Sequence, residues 1–334
     1  MMFRVAQSSD VEWDSALDNT TVWHSGNDRV GTWSPHNCSG WAHLKSLDGW
    51  DHLRVTDALG NPITQVLTKQ KGPLGIAYCP GGFAHNQAVD SNAFTKFLQA
   101  TLDRRVVYVR VHCLTPTKYG DTGMHSAGWR SVGTRLGART SLKLRLDTTF
   151  EERTEGLSFN WRRNLRRAEK HENNVTVDTA PSAHSIAALH QELEQLKGRH
   201  VNTWESSQPH LERLIEGFGS RLVVVRCVSD QGMLRAVRGA IITGGCAYDI
   251  LAAASAEGRK HYSSHLTLWT LINELAARGV VRYDLSGVDS EQNRGVYDFK
   301  HGTGATEIVY GGEFDSANPA VLRNVLSSLS TRLR

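Results

Sequence analysis

The stretch "SRLVVVRCVSDQGMLRAVRGAIITGG" (Ser220–Gly245) holds two apolar runs around a turn at Ser229–Gly232. That is the pattern of a β-hairpin. Downstream, "HLTLWTLINELAARGVVRYDL" (His265–Leu285) carries apolar residues at helical spacing, reaches the basic Arg278 and passes at once into a strand-like run. The same order occurs in the first half of the chain. "WDHLRVTDALGNPITQVLTKQ" (Trp50–Gln70) reads as a hairpin with its turn at Ala58–Asn61, and "SNAFTKFLQATLDRRVVYVRV" (Ser91–Val111) as the helix and strand. From Gly60 to Val106 is 46 residues and from Gly232 to Val280 is 48; the two turn glycines stand 172 apart. Nearly equal spacing indicates an internal duplication of one hairpin–crossover–helix–strand unit. The expected fold class is therefore α+β with mixed sheets, in two tandem domains. Their expected bounds are 1–147 and 148–315, with a short amphipathic helix in 316–334 packing back on the first.

Between the repeats lies "FEERTEGLSFNWRRNLRRAEKHENNVTV" (Phe150–Val177). Ser158–His171 reads as a helix whose basic residues are Arg162, Arg163, Arg166, Arg167 and Lys170, with Leu165 and Ala168 on its apolar side. Arg162/Arg166 and Arg163/Arg167 are i,i+4 pairs. Such a face suits RNA phosphates; it equally suits solvent, balanced by Glu169 and Glu172. A second helix, Ala183–Lys197, shows the stripe Ile186, Leu189, Leu193, Leu196. It runs into "GRHVNTWES" (Gly198–Ser206). Arg199 there could grip a phosphate bidentately or simply complement a helix C-terminus.

Bulk properties narrow the class. A length of 334 residues suits two domains. Hydrophobic content of 40% and charged content of 22% are ordinary for a soluble globular protein. A net charge of +4 permits a phosphate-bearing partner without demanding one. Five scattered cysteines with no CxxC pair point to reduced thiols in a cytoplasmic protein. The N-terminal "MMFRVAQSSDVEWDSALD" lacks signal-peptide features, and no apolar run approaches the roughly 18–20 residues of a membrane span. His261 and His265 are four apart, but no third ligand follows at a metal-site spacing, so no metal is expected. There is no GxSxG elbow, P-loop or strand–GxGxxG–helix.

Near the C-terminus stands "RYDLSGVDSEQNRGVYDFKHGTG" (Arg282–Gly304). It reads as a strand running into a Gly-bearing loop that delivers Tyr297, Asp298, Phe299 and Lys300. A lysine so placed could stabilise an oxyanion or a phosphate. Glycines let a ligand approach the backbone, and flanking rings strengthen the charge by lowering the local dielectric. The plainer reading is an edge hairpin with an exposed lysine.

Three stretches together resemble the Fem family of aminoacyl-tRNA-dependent transferases, built on a duplicated GNAT fold. "SGWAHLKSLDGWDHLRVTDALGNPITQVLTKQKGPLGIAYCPGG" (Ser39–Gly82) is similar to that family's N-terminal signature, ending in Y-x-P-x-G. "WRRNLRRAEKHENNVTV" (Trp161–Val177) is similar to its Arg-rich helix, and the Lys300 segment to its "YD-x-x-G…FK" ending. The resemblance covers nearly the whole chain in order. It implies that Lys45 and Arg199 contact precursor phosphate, that Tyr248 lies near a substrate-contacting tyrosine, and that Lys300 lies at the acyl-transfer centre. The implied reaction moves an amino acid from aminoacyl-tRNA to an amine, most simply on a UDP-linked or lipid-linked peptidoglycan precursor, with no cofactor beyond the charged tRNA and no metal. Arg162, Arg163, Arg166 and Arg167 then gain an acidic partner. A monomer without membrane insertion is expected. Asp284, Asp298 and His301 stand near Lys300 as candidate bases, although Asp284 could equally cap a loop turn, and no base is assigned. Two departures bear on the acceptor: "PGGF" (Pro80–Phe83) replaces the family's PRGP, and the long coiled-coil arm of some members is absent. Alternatives are transfer to a natural-product amine, an acyl-CoA-dependent N-acyltransferase and a non-catalytic binding protein. CoA-using GNAT enzymes carry a glycine turn at a helix N-terminus; here "EGRKHYSSHLTLW" (Glu257–Trp269) has Arg259 and Lys260 followed by Ser263 and Ser264.

Overall fold

Both hairpins form where their turn signals stand. The computed structural model describes the chain except residues 1, 20, 25–27, 32–33, 85–88, 118–122, 172, 197–206 and 330–334, and gives 21–24 and 28–31 by backbone alone. The chain divides into two units, Met1–Ser141 with Ile308–Arg334, and Leu142–Glu307. The first contains β1 (Arg4–Val5), α1 (Asp10–Asn19), the small hairpin β2 (Thr21–His24) and β3 (Asp28–Gly31), and α2 (Ser39–Ser46). It continues with β4 (Asp51–Thr56), β5 (Pro62–Lys71), β6 (Leu74–Cys79), α3 (Ser91–Leu102), β7 (Val106–Pro116) and β8 (Arg130–Ser131). After β9 (Thr140–Arg145) the second contains α4 (Phe150–Gly156), α5 (Phe159–Lys170), β10 (Asn173–Asp178), α6 (Ala183–Leu196) and α7 (Gln208–Phe218). The repeat follows as β11 (Leu222–Ser229), β12 (Leu234–Thr243), β13 (Cys246–Ala254), α8 (Ala256–Lys260), α9 (Ser263–Ala277), β14 (Arg282–Gly287) and α10 (Arg294–His301). The chain then returns to the first unit through β15 (Thr306–Asn318) and α11 (Arg323–Leu329), the latter packed against β7.

The two units share one topology. In the first, β4, β5 and β6 form an antiparallel meander, β7 lies parallel to β6, and β15 pairs antiparallel with β7. In the second, β10 to β13 form the meander and β14 lies parallel to β13, with β9 beyond it. The crossover between hairpin and helix thus holds a further strand in each copy. Parallel neighbours need such a long connection, and the helix supplies it.

Packing follows the sequence pattern. In the second unit Leu268, Leu271, Ile272 and Leu275 of α9 meet Val223, Val225, Ala240 and Tyr283 in one core, joined by Trp161 and Leu165 of α5. In the first, Phe94, Leu98 and Leu102 of α3 cover Val107, Val109 and Val111 of β7. The long helices stop in the same way. Gly279 at φ +78° ends α9, and Val280 N donates to Leu275 O at 3.0 Å before β14 begins. Asp103, at φ +51°, does this for α3, where a left-handed residue with a Cβ is less comfortable than glycine.

The copies differ at the parallel pair. β6 and β7 stay in register over six residues, from Leu74↔Val106 to Cys79↔Val111. β13 and β14 pair only from Cys246↔Arg282 to Tyr248↔Asp284, although both strands run on. The second sheet therefore opens beyond Tyr248.

One local expectation is corrected. Arg294–His301 is a helix, not a Gly-rich loop. An Arg294–Asp298 ion pair at 2.9 Å and a Tyr297–His301 ring stack at 5.5 Å, both at i,i+4, hold it.

Candidate active site

The gap between β13 and β14 is prepared by a bulge. Gly239 pairs with Leu251 and Ala240 with Asp249, so Ile250 is the extra residue on β13. A bulge bends its strand and re-aims the neighbouring side chains. Asp249 stands immediately beyond the last β13–β14 pair. Its carboxylate accepts from Arg238 Nε at 3.0 Å and Nη2 at 2.6 Å, and from the Tyr283 hydroxyl at 2.8 Å. All three residues are buried. Burial, with the Asp249 carboxylate beside it, pushes the Tyr283 phenol up, so Tyr283 remains a donor.

Lys300 reaches this network from α10. It is only 8% exposed. Its Nζ donates to Gly287 O, at the end of β14, over 3.4 Å and lies 3.9 Å from Asp249 Oδ2 on β13. The ammonium thus stands between the separated strands. Burial lowers its pKa, opposed by the Asp249 charge and assisted by Arg238. Asp249 spends its oxygens on Arg238 and Tyr283. The remaining Lys300 donors have no hydrogen-bond partner among the described residues. A buried cation with unspent donors suits an oxygen that gains negative charge.

Helix α10 is firmly seated. Trp161 Nε1 donates to Phe299 O at 3.0 Å, and Ser158 N to Gly302 O at 2.9 Å. A Cβ on Gly302 would lie 2.8 Å from Trp161 Cδ1, which is why this position lacks a side chain. The Arg238 guanidinium lies 5.6 Å over the Phe299 ring.

The other sequence candidates fall elsewhere. Lys45, on α2 of the first unit, pairs with Asp48 at 3.1 Å and lies 5.6 Å over the Trp41 ring. Arg199 lies outside the described residues. Tyr248 neighbours Asp249 on β13, so strand alternation turns it to the opposite face; its register partner there is Asp284. Asp284 accepts from Ser286 N at 2.9 Å and faces Lys143 Nζ at 3.5 Å. The first bond lies within β14, at Ser286 with φ +67°. Asp298 is tied to Arg294, and His301 is exposed. Arg162, Arg163, Arg166 and Arg167 share α5, whose inner face holds α10. Among the described residues no group of three His, Cys, Asp or Glu could hold a metal.

Arg238, Asp249, Tyr283 and Lys143 are absent from the sequence-level site. A signal existed: "AVRGAI" (Ala236–Ile241) and "CAYDILAAA" (Cys246–Ala254) each carry one charge inside an apolar strand-like run, and such charges, once buried, need each other. Their meeting depends on the bulge at Ile250, which the sequence does not display.

His265 lies beside the site in a ring cage of Trp161, Phe299 and Tyr262, with centroids 4.9, 5.0 and 5.9 Å away. Burial pushes its pKa down to about 4. Between that value and the ordinary 6.5 the unfolded chain binds the extra proton, so stability falls as pH drops from about 6.5 to about 4. The loss is on the order of 3 kcal/mol when complete. Urea unfolding at pH 7.5 and pH 5 checks this: His265→Gln loses less stability on acidification than the native chain.

Residues 159–301 match the family described as "Acetyltransferase (GNAT) domain". The match lies within the second unit, Leu142–Glu307. FemX, at 16% identity, aligns over 98% of this chain and 99% of its own with a TM-score of 0.76. L-PGS from Bacillus licheniformis, at 15% identity, covers 86% and 91% with a TM-score of 0.53. A tandem GNAT protein from the clavulanic acid biosynthesis pathway, at 14%, covers 95% and 98% with a TM-score of 0.52. No curated protein matches the chain by sequence. The likenesses show a tandem GNAT-like fold, and the bulged, opened sheet with Lys300 lies in the unit that the family model matches. Among the described residues no helix is long and apolar enough to cross a membrane.

Proposed function

We propose that the chain is an aminoacyltransferase that moves an amino acid from aminoacyl-tRNA to an amine of a peptidoglycan precursor, UDP-linked or lipid-linked. The observation that carries this reading is the buried Lys300 ammonium in the β13–β14 gap, with donors that Asp249 does not consume. The resemblance of the Lys300 and Arg-rich segments to the Fem family implies the donor and acceptor classes, and the full-length likeness to FemX supports the fold this needs. The amine nitrogen attacks the ester carbonyl, a C–N bond forms, the C–O bond to ribose breaks, and the amine proton passes to the departing ribose oxygen. An ester is already activated, so no ATP is consumed. Holding both reactants in place contributes roughly 7–11 kcal/mol. Lys300 stabilises the tetrahedral oxyanion, a role worth about 3–4 kcal/mol. Lys45 and Arg199 hold the acceptor phosphates, Tyr248 contacts the acceptor, and Arg162, Arg163, Arg166 and Arg167 face the RNA. A charged tRNA as donor places the reaction in the cytoplasm, with the chain acting as a monomer and without a further cofactor.

A second reading, with acyl-CoA as donor, is favoured by the match to an acetyltransferase domain. The turn before α9 fits it poorly. Gly258 packs against the Arg235 carbonyl, leaving no room for a Cβ, and Ser263 Oγ is spent on Asn173 at 3.1 Å. The native chain incubated with a UDP-linked peptide precursor, pooled charged tRNA and acetyl-CoA discriminates the two. Mass spectrometry of the precursor should show an added amino-acid residue; an added acetyl group instead would establish the second reading.

A further inference from the structure

Helix α5 has two differently employed faces. Trp161, Leu165 and Ala168 are buried, and Trp161 binds the backbone of α10. At 3.6 residues per turn the opposite face carries Phe159, Arg163, Arg166 and Lys170 in one row. All four are exposed, Phe159 by 72%. Arg162, Arg163, Arg166 and Lys170 make no ion pair with any described residue. Arg167, at the edge of the row, donates to the Tyr262 hydroxyl at 2.9 Å. Glu169 is the only carboxylate on the helix.

A lone exposed phenylalanine carries no meaning. At the head of a row of unpaired cations it does, because single-stranded nucleic acid is held by that combination: charges along the backbone and an aromatic face for a base. We infer that Phe159 is a stacking platform for an unpaired base of an RNA whose phosphates lie along Arg163, Arg166 and Lys170. This rests on the tRNA-dependent reading above and specifies which part of the RNA α5 meets. The inner face of α5 holds α10, which carries Lys300. An α-helix with its side chains is about 10–12 Å across. An RNA end delivering an ester to Lys300 therefore passes α5 in its last nucleotides, which are unpaired where an amino acid is attached. An anionic lipid surface is the weaker occupant. The apolar face of α5 is already buried in the core, leaving one ring to enter lipid, whereas interfacial helices bury a whole apolar face.

Fluorescence anisotropy with the full chain tests this. The probes are a labelled RNA hairpin bearing a single-stranded 3′ overhang of about four nucleotides and the same hairpin with a blunt end. The native chain should bind the overhang more tightly. Phe159→Ala should weaken overhang binding about tenfold and blunt binding little, and Phe159→Trp should restore it. Arg163→Ala with Arg166→Ala should weaken both probes and flatten the salt dependence. Phe159 is exposed, so these variants should melt with the native chain. If Phe159→Ala leaves overhang affinity unchanged while the arginine variant weakens it, stacking is wrong and the RNA reading stands. If the native chain binds neither probe, both fail. Sedimentation with anionic vesicles that Phe159→Ala abolishes, without RNA preference, would overturn the inference in favour of a lipid surface.

Discussion

Replacing Lys300 with alanine lowers the rate of amide formation about 10²–10³-fold, the usual effect of deleting one oxyanion donor. RNA affinity stays near native, because α5 is untouched. The fold is kept: Asp249 retains Arg238 and Tyr283, and the cost of burying an ammonium disappears. Lys300→Met, which preserves volume, should behave alike. The buried ammonium also fixes a pH dependence. The donor works only as an ammonium, so activity falls as pH rises through the Lys300 pKa, which burial places below the ordinary lysine value. Asp249→Asn removes the charge that opposes this shift, so the fall should move to lower pH. Single-turnover rates across pH measure both effects. Native rates from Lys300→Ala would remove this residue from the chemistry.

Asp249→Ala destabilises the second unit by about 3–5 kcal/mol, because it strands the Arg238 guanidinium inside the protein. For a unit of this size that is a fall in melting temperature of about 10 °C. Tyr283→Phe removes one hydrogen bond and should cost only about 1 kcal/mol. Arg238→Met combined with Asp249→Leu should recover part of the loss, since the guanidinium is no longer stranded, while the Lys300 ammonium still lacks its counter-charge. Denaturant unfolding of the four proteins checks the ordering. Equal stabilities for Asp249→Ala and Tyr283→Phe would show that the ion pair does not organise the site.

The repeated unit was legible because hairpin turns and helix stops are local signals. Gly60 and Gly232 mark their turns in the sequence and stand at positive φ in the structure. Lys300 was legible as a residue but not as a geometry. Gly295 favours a loop locally, whereas the i,i+4 partners Arg294/Asp298 and Tyr297/His301 hold a helix once the segment is seated. The Arg238–Asp249–Tyr283 network was not legible. It is non-local, joining β12, β13 and β14, and one extra residue at Ile250 sets which side chains meet. A one-residue change of register exchanges the faces of a strand, so neither propensity nor spacing reports it.

On the proposed function, an amino acid passes from RNA to an amine at this site. Its most direct test incubates the purified chain with radiolabelled aminoacyl-tRNA and a peptidoglycan precursor, with and without prior RNase treatment of the donor. Label should appear in amide linkage on the precursor, and RNase should abolish its appearance. Equal labelling after RNase, or acylation supported by acetyl-CoA alone, would contradict it.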